Sequence, residues 1–195
     1  QHLTQELSQH GFLGLCQANI ELFQKHLHHN FSYVQFVERT ARAKNPLQHY
    51  DDLISYISLY GMAHYQRFSY LFSCGLQAGM NIPNEKLHII DYGCGQGIAT
   101  LTVLEKIVTL TTVPNLIHIT LIEPSALSLQ RAVTWVKCRA KALNLNVKIE
   151  SHQQYFDSLQ TQKTIELNEV CLHLYSNILD MYLEHRFNIQ HLIQL

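Results

Sequence analysis

Apolar residues recur at helical spacing through the first eighty positions of the chain. In "CQANIELFQKHLHHNFSYVQFVERTARAK" they fall three or four residues apart from Ile20 to Val37, and "HHNFS" is expected to break the helix. A new segment begins at Pro46, repeats this spacing from Leu53 to Leu71, and is predicted to stop at Gly79. The pattern predicts several packed helices, which form a helical N-terminal extension over residues 1–82.

The pattern changes after "NIPNEK", where short β-branched runs alternate with helical stretches. Helical periodicity follows Gly97, returns from Ser125 to about Leu143, and recurs in "QYFDSL" and "NILDMYLEHRF". Strands that alternate with helices form crossover units and a mostly parallel sheet, so the predicted fold class over residues 83–195 is α/β. The strand-like runs are Leu87–Ile90, Leu116–Glu123, Asn146–Ser151 and Asn168–Ser176.

The composition of the 195-residue chain is that of a globular protein with no excess of positive charge. Hydrophobic residues make up 47% and charged residues 15%, which argues against disorder. The 14 Lys and Arg residues are balanced by 15 Asp and Glu residues, so net charge does not attract nucleic acid. The cations of "RAVTWVKCRAKAL" fall at helical spacing, which is typical of a solvated helix face.

The cysteine and histidine patterns favour neither a disulfide framework nor a metal site. The five cysteines include no C-x-x-C pair, and the 13 histidines include no H-E-x-x-H motif. No apolar run reaches the length of a membrane span, and the first residues lack a signal-peptide pattern. We therefore expect a cytoplasmic protein without a metal ion.

The stretch "HIIDYGCGQGIAT" joins the first predicted strand to a helix through three glycines. Gly93, Gly95 and Gly97 would let the backbone pass close to a ligand, and the amide end of the following helix faces the same space. The spacing does not match the G-x-G-x-x-G fingerprint of dinucleotide-binding folds, and no Lys-Ser/Thr pair follows, as a P-loop requires. A tight turn without a ligand is the alternative interpretation.

Two acids at strand ends indicate the kind of ligand. A carboxylate at Asp91 would repel a pyrophosphate but favour an ammonium or sulfonium group. Glu123 ends the second strand, where a carboxylate can accept hydrogen bonds from both hydroxyls of a ribose. Together the acids describe a nucleoside whose tail is zwitterionic rather than phosphorylated.

With these features the sequence resembles the class I S-adenosylmethionine-dependent methyltransferases over roughly residues 87–182. "IIDYGCGQG" is similar to their motif I, and "LIEPS" is similar to the acidic motif at the end of their second strand. The resemblance implies a Rossmann-like parallel sheet in the order 3-2-1-4 and S-adenosylmethionine as cofactor. Methyl transfer from a sulfonium depends on alignment in a dry pocket, so no compact catalytic constellation is expected.

The resemblance also implies a cofactor site. The glycine turn would line the methionine part, Glu123 would bind the ribose, Gln153 would lie near the adenine with Pro124 and Ser125, and the residues after strand four would lie near the methyl group. The predicted members are Asp91, Tyr92, Gly93, Cys94, Gly95, Gln96, Gly97, Glu123, Pro124, Ser125, Gln153, Tyr175 and Ser176.

Three residues of the helical extension are candidates to cover this site as a lid. They are Tyr60, His64 and Tyr65, in "YGMAHYQRF". Packing between helices is the alternative role for such aromatic side chains at helical spacing. No catalytic residue is singled out.

The methyl acceptor and the completeness of the sheet are separate questions. Strand four ends in "LYSN", without the Asn/Asp-Pro-Pro-aromatic turn of many enzymes that methylate nucleic-acid amino groups, so we expect a small-molecule or protein acceptor, with RNA as a further alternative. The family has seven strands and only four are found, so we expect a missing C-terminal portion or a partner chain at the edge of strand four.

Two other functions remain open. One is a non-catalytic cofactor-binding or scaffolding module whose sheet is completed by a partner. The other is a nicotinamide oxidoreductase, which would bind NADH.

Overall fold

The structure, a computed structural model, describes residues 1–155 and 170–175. A 3-10 turn at His28–Asn30 separates the first two helices, and a π-helical turn at Ile57–Gly61 joins the third helix to the fourth. In chain order, the helices are α1 (His2–His26), α2 (Tyr33–Thr40), α3 (Tyr50–Tyr56), α4 (Met62–Gln77), α5 (Ile98–Ile107) and α6 (Ala126–Ala142), and the strands are β1 (Lys86–Tyr92), β2 (Leu116–Ile122), β3 (Val147–His152) and β4 (Val170–Tyr175).

The four described strands form one parallel sheet in the order β3-β2-β1-β4. Ile89 at the centre of β1 lies beside Ile119 of β2 and Leu172 of β4. Parallel strands need crossover connections, and helices α5 and α6 supply those between β1 and β2 and between β2 and β3. The predicted α/β class and Rossmann-like strand order are confirmed. The helices predicted in "QYFDSL" and "NILDMYLEHRF" lie almost entirely outside the described residues.

One hydrophobic core joins the helical extension to the sheet. Leu87 and Ile89 of β1 are buried in the same cluster as Phe12 and Leu15 of α1 and Phe72 of α4. Burial of each large apolar side chain contributes about 1.5–3 kcal/mol, so the extension is held on the sheet by the same force that stabilises the sheet itself. The division of the chain into two domains at residue 82 stays a prediction.

Helix α1 is kinked at Gly11, where the backbone has φ 71 and ψ −162. The kink frees the N–H of Phe12, which donates to Oε1 of Glu105 on α5 at 2.8 Å. The same carboxylate accepts from Nε of Arg139 at 2.8 Å and from the hydroxyl of Tyr65 at 2.9 Å. A carboxylate at a freed helix N-terminus is favoured by the helix dipole, and here it also ties α1, α4, α5 and α6 together.

Two predicted interruptions of the helices are confirmed, whereas one stretch that was predicted to be a regular helix is interrupted. The break at "HHNFS" falls between α1 and α2. Gly79, at φ 95, follows the last turn of α4, where the N–H of Met80 donates to the carbonyl of Gly75 at 2.9 Å. The spacing from Leu53 to Leu71 is interrupted by the π-helical turn, whose extra residue rotates the later positions. Leu71 is accordingly 53% exposed.

Candidate cofactor site

The glycine turn follows β1 directly and runs into α5. Gly93, Gly95 and Gly97 have φ angles of 61, 53 and 80, a region that residues with a Cβ rarely adopt. The N–H of Cys94 donates to the carbonyl of Ile122 at 2.9 Å, so the turn lies beside the end of β2. The three glycines are therefore needed for the positive φ angles of the turn.

Gly95 and Gly97 differ in what surrounds them. A Cβ on Gly97 would lie 3.2 Å from the Cβ of Ala132 and 3.3 Å from its Cα, so this glycine lets α5 pack closely on α6. A Cβ on Gly95 would meet no atom within 4 Å. Gly97 thus serves packing, whereas the space beside Gly95 is open to a ligand.

Asp91 is fully buried near the carboxyl end of β1. Its Oδ2 accepts the hydroxyl of Thr100 at 2.7 Å, while Oδ1 has no hydrogen-bond donor among the residues that the structure describes. Burial raises the pKa of Asp91 to about 7; the hydrogen bonds of Thr100 oppose this rise, and the charge of Glu123 adds to it. A cation near Asp91 would stabilise the ionised carboxylate.

Glu123 follows the last residue of β2 and is 8% exposed. Its Oε2 accepts the N–H of Gly95 at 3.0 Å, and its Oε1 accepts the N–H of Ser125 at 2.9 Å. Burial raises its pKa to about 7, against the lowering effect of these two N–H groups. Since a carboxylate oxygen has two acceptor positions, each oxygen keeps one for another donor. The structure thus brings Glu123 close to Asp91 and the glycine turn.

Cys94, Pro124 and Ser125 flank these acids. Burial, together with the charges of Asp91 and Glu123, raises the pKa of the Cys94 thiol well above its usual range, so the thiol is neutral and fills space. Ser125 caps α6, since its hydroxyl oxygen accepts the N–H of Ser128 at 3.2 Å. Pro124, between Glu123 and Ser125, is half-buried.

The segment formed by residues 47–53, called the covering segment below, was not predicted as part of the site. The carbonyl of Leu47 accepts the hydroxyl of Ser125, and the carbonyl of Leu53 accepts Nε2 of Gln96 at 3.0 Å. Both leucine side chains are buried. Because the acceptors are backbone carbonyls, which every residue carries, no side-chain pattern in the sequence signals these contacts.

The side chain of Gln96 is engaged at both ends of its amide. Its nitrogen bonds the covering segment, and its oxygen accepts Nη1 of Arg131 on α6 at 2.9 Å. The guanidinium of Arg131 lies 5.2 Å from the ring centroids of both Tyr50 and Trp135. Gln96 therefore fixes the turn against two helices, and its predicted contact with a cofactor stays a prediction.

The remaining predicted members lie at other strand ends. Tyr92 and Tyr175 are register partners on β1 and β4, and their rings stack with centroids 4.8 Å apart. Since side chains alternate along a strand, Tyr92 lies on the sheet face opposite Asp91. Gln153 follows β3 and is exposed. Ser176 lies outside the described residues, and the cofactor roles of the other three stay predictions.

The predicted lid residues make contacts within the helical extension and with α5. Tyr65 donates to Glu105, and Tyr60 is half-buried beside the ring of His64. Nδ1 of His64 lies 3.2 Å from the hydroxyl of Tyr56. Burial lowers the pKa of His64 to about 4, so its ring is neutral at neutral pH. Their role as a lid stays a prediction.

Residues 1–155 and 170–175 contain neither a metal-binding cluster nor a membrane-spanning helix. No group of three or more His, Cys, Asp or Glu side chains in these ranges is placed to hold a metal ion. None of the helices in the same ranges has the length and apolar character needed to cross a membrane.

The sheet order and the glycine turn define the class of this protein as a Rossmann-like α/β domain. No protein-family model and no curated protein matches the chain. Among solved structures, it is similar to SCL7 of Oryza sativa, at 18% identity and a TM-score of 0.47 over 83% of this chain and 52% of that one.

A second similar structure is a protein of Listeria monocytogenes that is provisionally named a class I S-adenosylmethionine-dependent methyltransferase. It matches at 16% identity and a TM-score of 0.30, over 78% of this chain and 53% of that one. The chain thus spans about half the length of the solved structures it matches. At such low identity and TM-score, neither match bears on what this chain does.

Proposed function

We propose that this chain holds the S-adenosylmethionine site of a class I methyltransferase that acts on a small-molecule or protein acceptor. One observation carries the proposal. Two buried carboxylates, Asp91 and Glu123, lie close together beside a glycine turn, and the backbone of that turn faces open space at Gly95.

Two features of the site suit two parts of the cofactor, and a third gives the ligand access to the backbone. The buried carboxylate of Asp91 suits the positively charged amino-acid part through its charge, because two neighbouring acids with raised pKa values gain from an added cation. The remaining acceptor positions of Glu123 suit the ribose hydroxyls. The open space at Gly95 allows the ligand to approach the backbone closely.

The chemistry of methyl transfer asks little of the protein beyond placement. When bound, S-adenosylmethionine would supply an electrophilic methyl group for direct displacement. The chain itself would hold the ribose through Glu123 and exclude water with the covering segment, whose carbonyls bond Ser125 and Gln96.

Calorimetry with S-adenosylmethionine and S-adenosylhomocysteine tests the proposal. We expect micromolar binding by the wild-type chain, and loss of binding in Gly95→Arg, which fills the open space, and in Glu123→Ala, which removes the ribose acceptor. Lys137→Ala, at an exposed position of α6, is the matched control and should bind as the wild type does. Absence of binding heat in the wild type would refute the proposal.

A second candidate function, a non-catalytic scaffolding module, is favoured by a different observation. Both oxygens of Glu123 already accept backbone N–H groups, and the covering segment is bonded to the turn, so these groups have partners without a ligand. This candidate predicts that neither compound binds at any concentration. Glu123→Ala should lower stability by about 1–3 kcal/mol under either candidate, because the N–H groups of Gly95 and Ser125 lose their acceptor, so ligand binding is what distinguishes the two.

The class of acceptor is tested separately. After incubation of the chain with methyl-tritiated S-adenosylmethionine and a cell extract, the label should appear in either the small-molecule or the protein fraction. Label confined to the RNA fraction would contradict the proposed acceptor class while leaving the cofactor site intact.

A further inference from the structure

A cleft of about 390 Å³ lies between the first turn of α1, the start of α3 and one face of α6. Its wall includes apolar side chains such as Ile54 and Leu127, the aromatic rings of Tyr50 and Trp135, and the guanidinium of Arg131. Its volume falls within the range of roughly 300–1,000 Å³ that is usual for small-molecule sites. None of the described residues that were predicted for the cofactor site lines it.

Arg131 is an unusual component of such a wall. Within residues 1–155 and 170–175 its guanidinium is held by the amide oxygen of Gln96 and by the rings of Tyr50 and Trp135, and no carboxylate of these residues pairs with it. Burial lowers the pKa of Arg131 to about 10, which still leaves it charged at neutral pH. Arg131 is half-buried, and a cation partly withdrawn from water without an anionic partner is costly, so an anion in the cleft would be stabilised.

The geometry of the cation limits the kind of anion. A guanidinium has five N–H donors in one plane, and Gln96 takes one of them. Because aromatic rings contact the guanidinium of Arg131, a ligand would bind to the N–H donors in its plane. A planar carboxylate can accept two of these donors side by side. The apolar wall formed by residues such as Ile54 and Leu127 suits a ligand with an apolar body.

We propose that this cleft binds a small organic carboxylate with an apolar body, and that Arg131 holds the carboxylate group. The cleft uses neither Asp91 nor Glu123, although Arg131 also bonds Gln96 of the glycine turn and Tyr50 belongs to the covering segment. Binding depends on one cation, on an apolar wall and on the volume of the cleft.

Trp135 is the only tryptophan of the chain and lies in the wall of the cleft, so its fluorescence reports on the site directly. Hexanoate is the probe, titrated at constant ionic strength. Acetate, which lacks the apolar body, and 1-hexanol, which lacks the charge, are the matched controls. We expect a saturable change with hexanoate and affinities weaker by about tenfold or more for both controls.

Variants at Gln130 test the charge requirement without disturbing the Arg131–Gln96 contact. Gln130 is exposed and lines the cleft. Gln130→Lys should strengthen hexanoate binding about threefold and Gln130→Glu should weaken it about threefold, because each adds one charge near the carboxylate. Arg131→Gln should abolish binding, with far-UV circular dichroism to confirm that the variant is folded.

Three results would each overturn the proposal. The first is the absence of a saturable change with hexanoate in the wild-type chain. The second is equal affinity for hexanoate and 1-hexanol or acetate. The third is an affinity for hexanoate that is the same in Gln130→Lys and Gln130→Glu.

Discussion

Gly95 and Gly97 occupy the same turn, but alanine at the two positions should have different effects. Both have positive φ angles, 53 and 80, so an alanine at either costs about 1–2 kcal/mol of left-handed backbone strain. At Gly97 the new Cβ would also lie 3.2 Å from the Cβ of Ala132, and overpacking of this kind costs about 1–3 kcal/mol more. We therefore expect Gly97→Ala to lose about 2–5 kcal/mol of unfolding free energy, against about 1–2 kcal/mol for Gly95→Ala.

Urea unfolding followed by far-UV circular dichroism measures both losses, and calorimetry with S-adenosylhomocysteine measures the functional effect. Gly95→Ala should weaken binding about tenfold or more, because its Cβ enters the space proposed for the ligand. Gly97→Ala should keep its affinity to within about threefold where it is folded, since its Cβ points at α6 instead. Equal stability losses, or a larger binding loss in Gly97→Ala, would refute this division of roles.

Three further predictions concern other parts of the chain. Gly11→Ala places a Cβ 2.6 Å from Oε1 of Glu105 at a φ of 71, so we expect a loss of about 2–5 kcal/mol of unfolding free energy in urea. The control Gly79→Ala, at φ 95 with no atom within 4 Å of the new Cβ, should lose only about 1–2 kcal/mol. Equal losses in the two variants would show that the clash at Gly11 is absent. The pKa of Asp91 is raised from 3.8 to about 7 in the folded chain, so the wild type should lose unfolding free energy relative to Asp91→Asn as pH rises between these values. A gain in relative stability over this range would contradict the raised pKa. Tyr65→Phe removes one hydrogen bond and should lower stability by about 1 kcal/mol with no change in S-adenosylhomocysteine affinity; lost affinity at unchanged stability would favour the lid role.

The sheet could be predicted from the sequence because its signals are local. The β-branched run from Leu87 to Ile90 lies within β1, and the alternation of strands with helical stretches is enough to predict parallel crossovers. The glycine turn could also be located, since the backbone needs positive φ at Gly93, Gly95 and Gly97. These features depend on residues that are near one another in the chain.

The features that escaped prediction depend on contacts between distant parts of the chain. The kink at Gly11 is stabilised by a bond from Phe12 to Glu105, which lies 93 residues further along, and the surrounding apolar pattern continues through it. The covering segment bonds the turn through its backbone, which leaves no trace in side-chain periodicity. The engagement of both oxygens of Glu123 by N–H groups could not be foreseen either, because hydrogen-bond partners depend on the folded turn.

The most direct test of the proposed cofactor site is a nuclear magnetic resonance titration of the chain labelled with nitrogen-15 at glycine alone. The chain has eight glycines, so each amide can be followed. On addition of S-adenosylhomocysteine, the amides of Gly93 and Gly95 are expected to shift in a saturable way while that of Gly79, an exposed glycine beyond α4, stays in place. Unchanged positions for Gly93 and Gly95 at saturating ligand would contradict the proposed cofactor site.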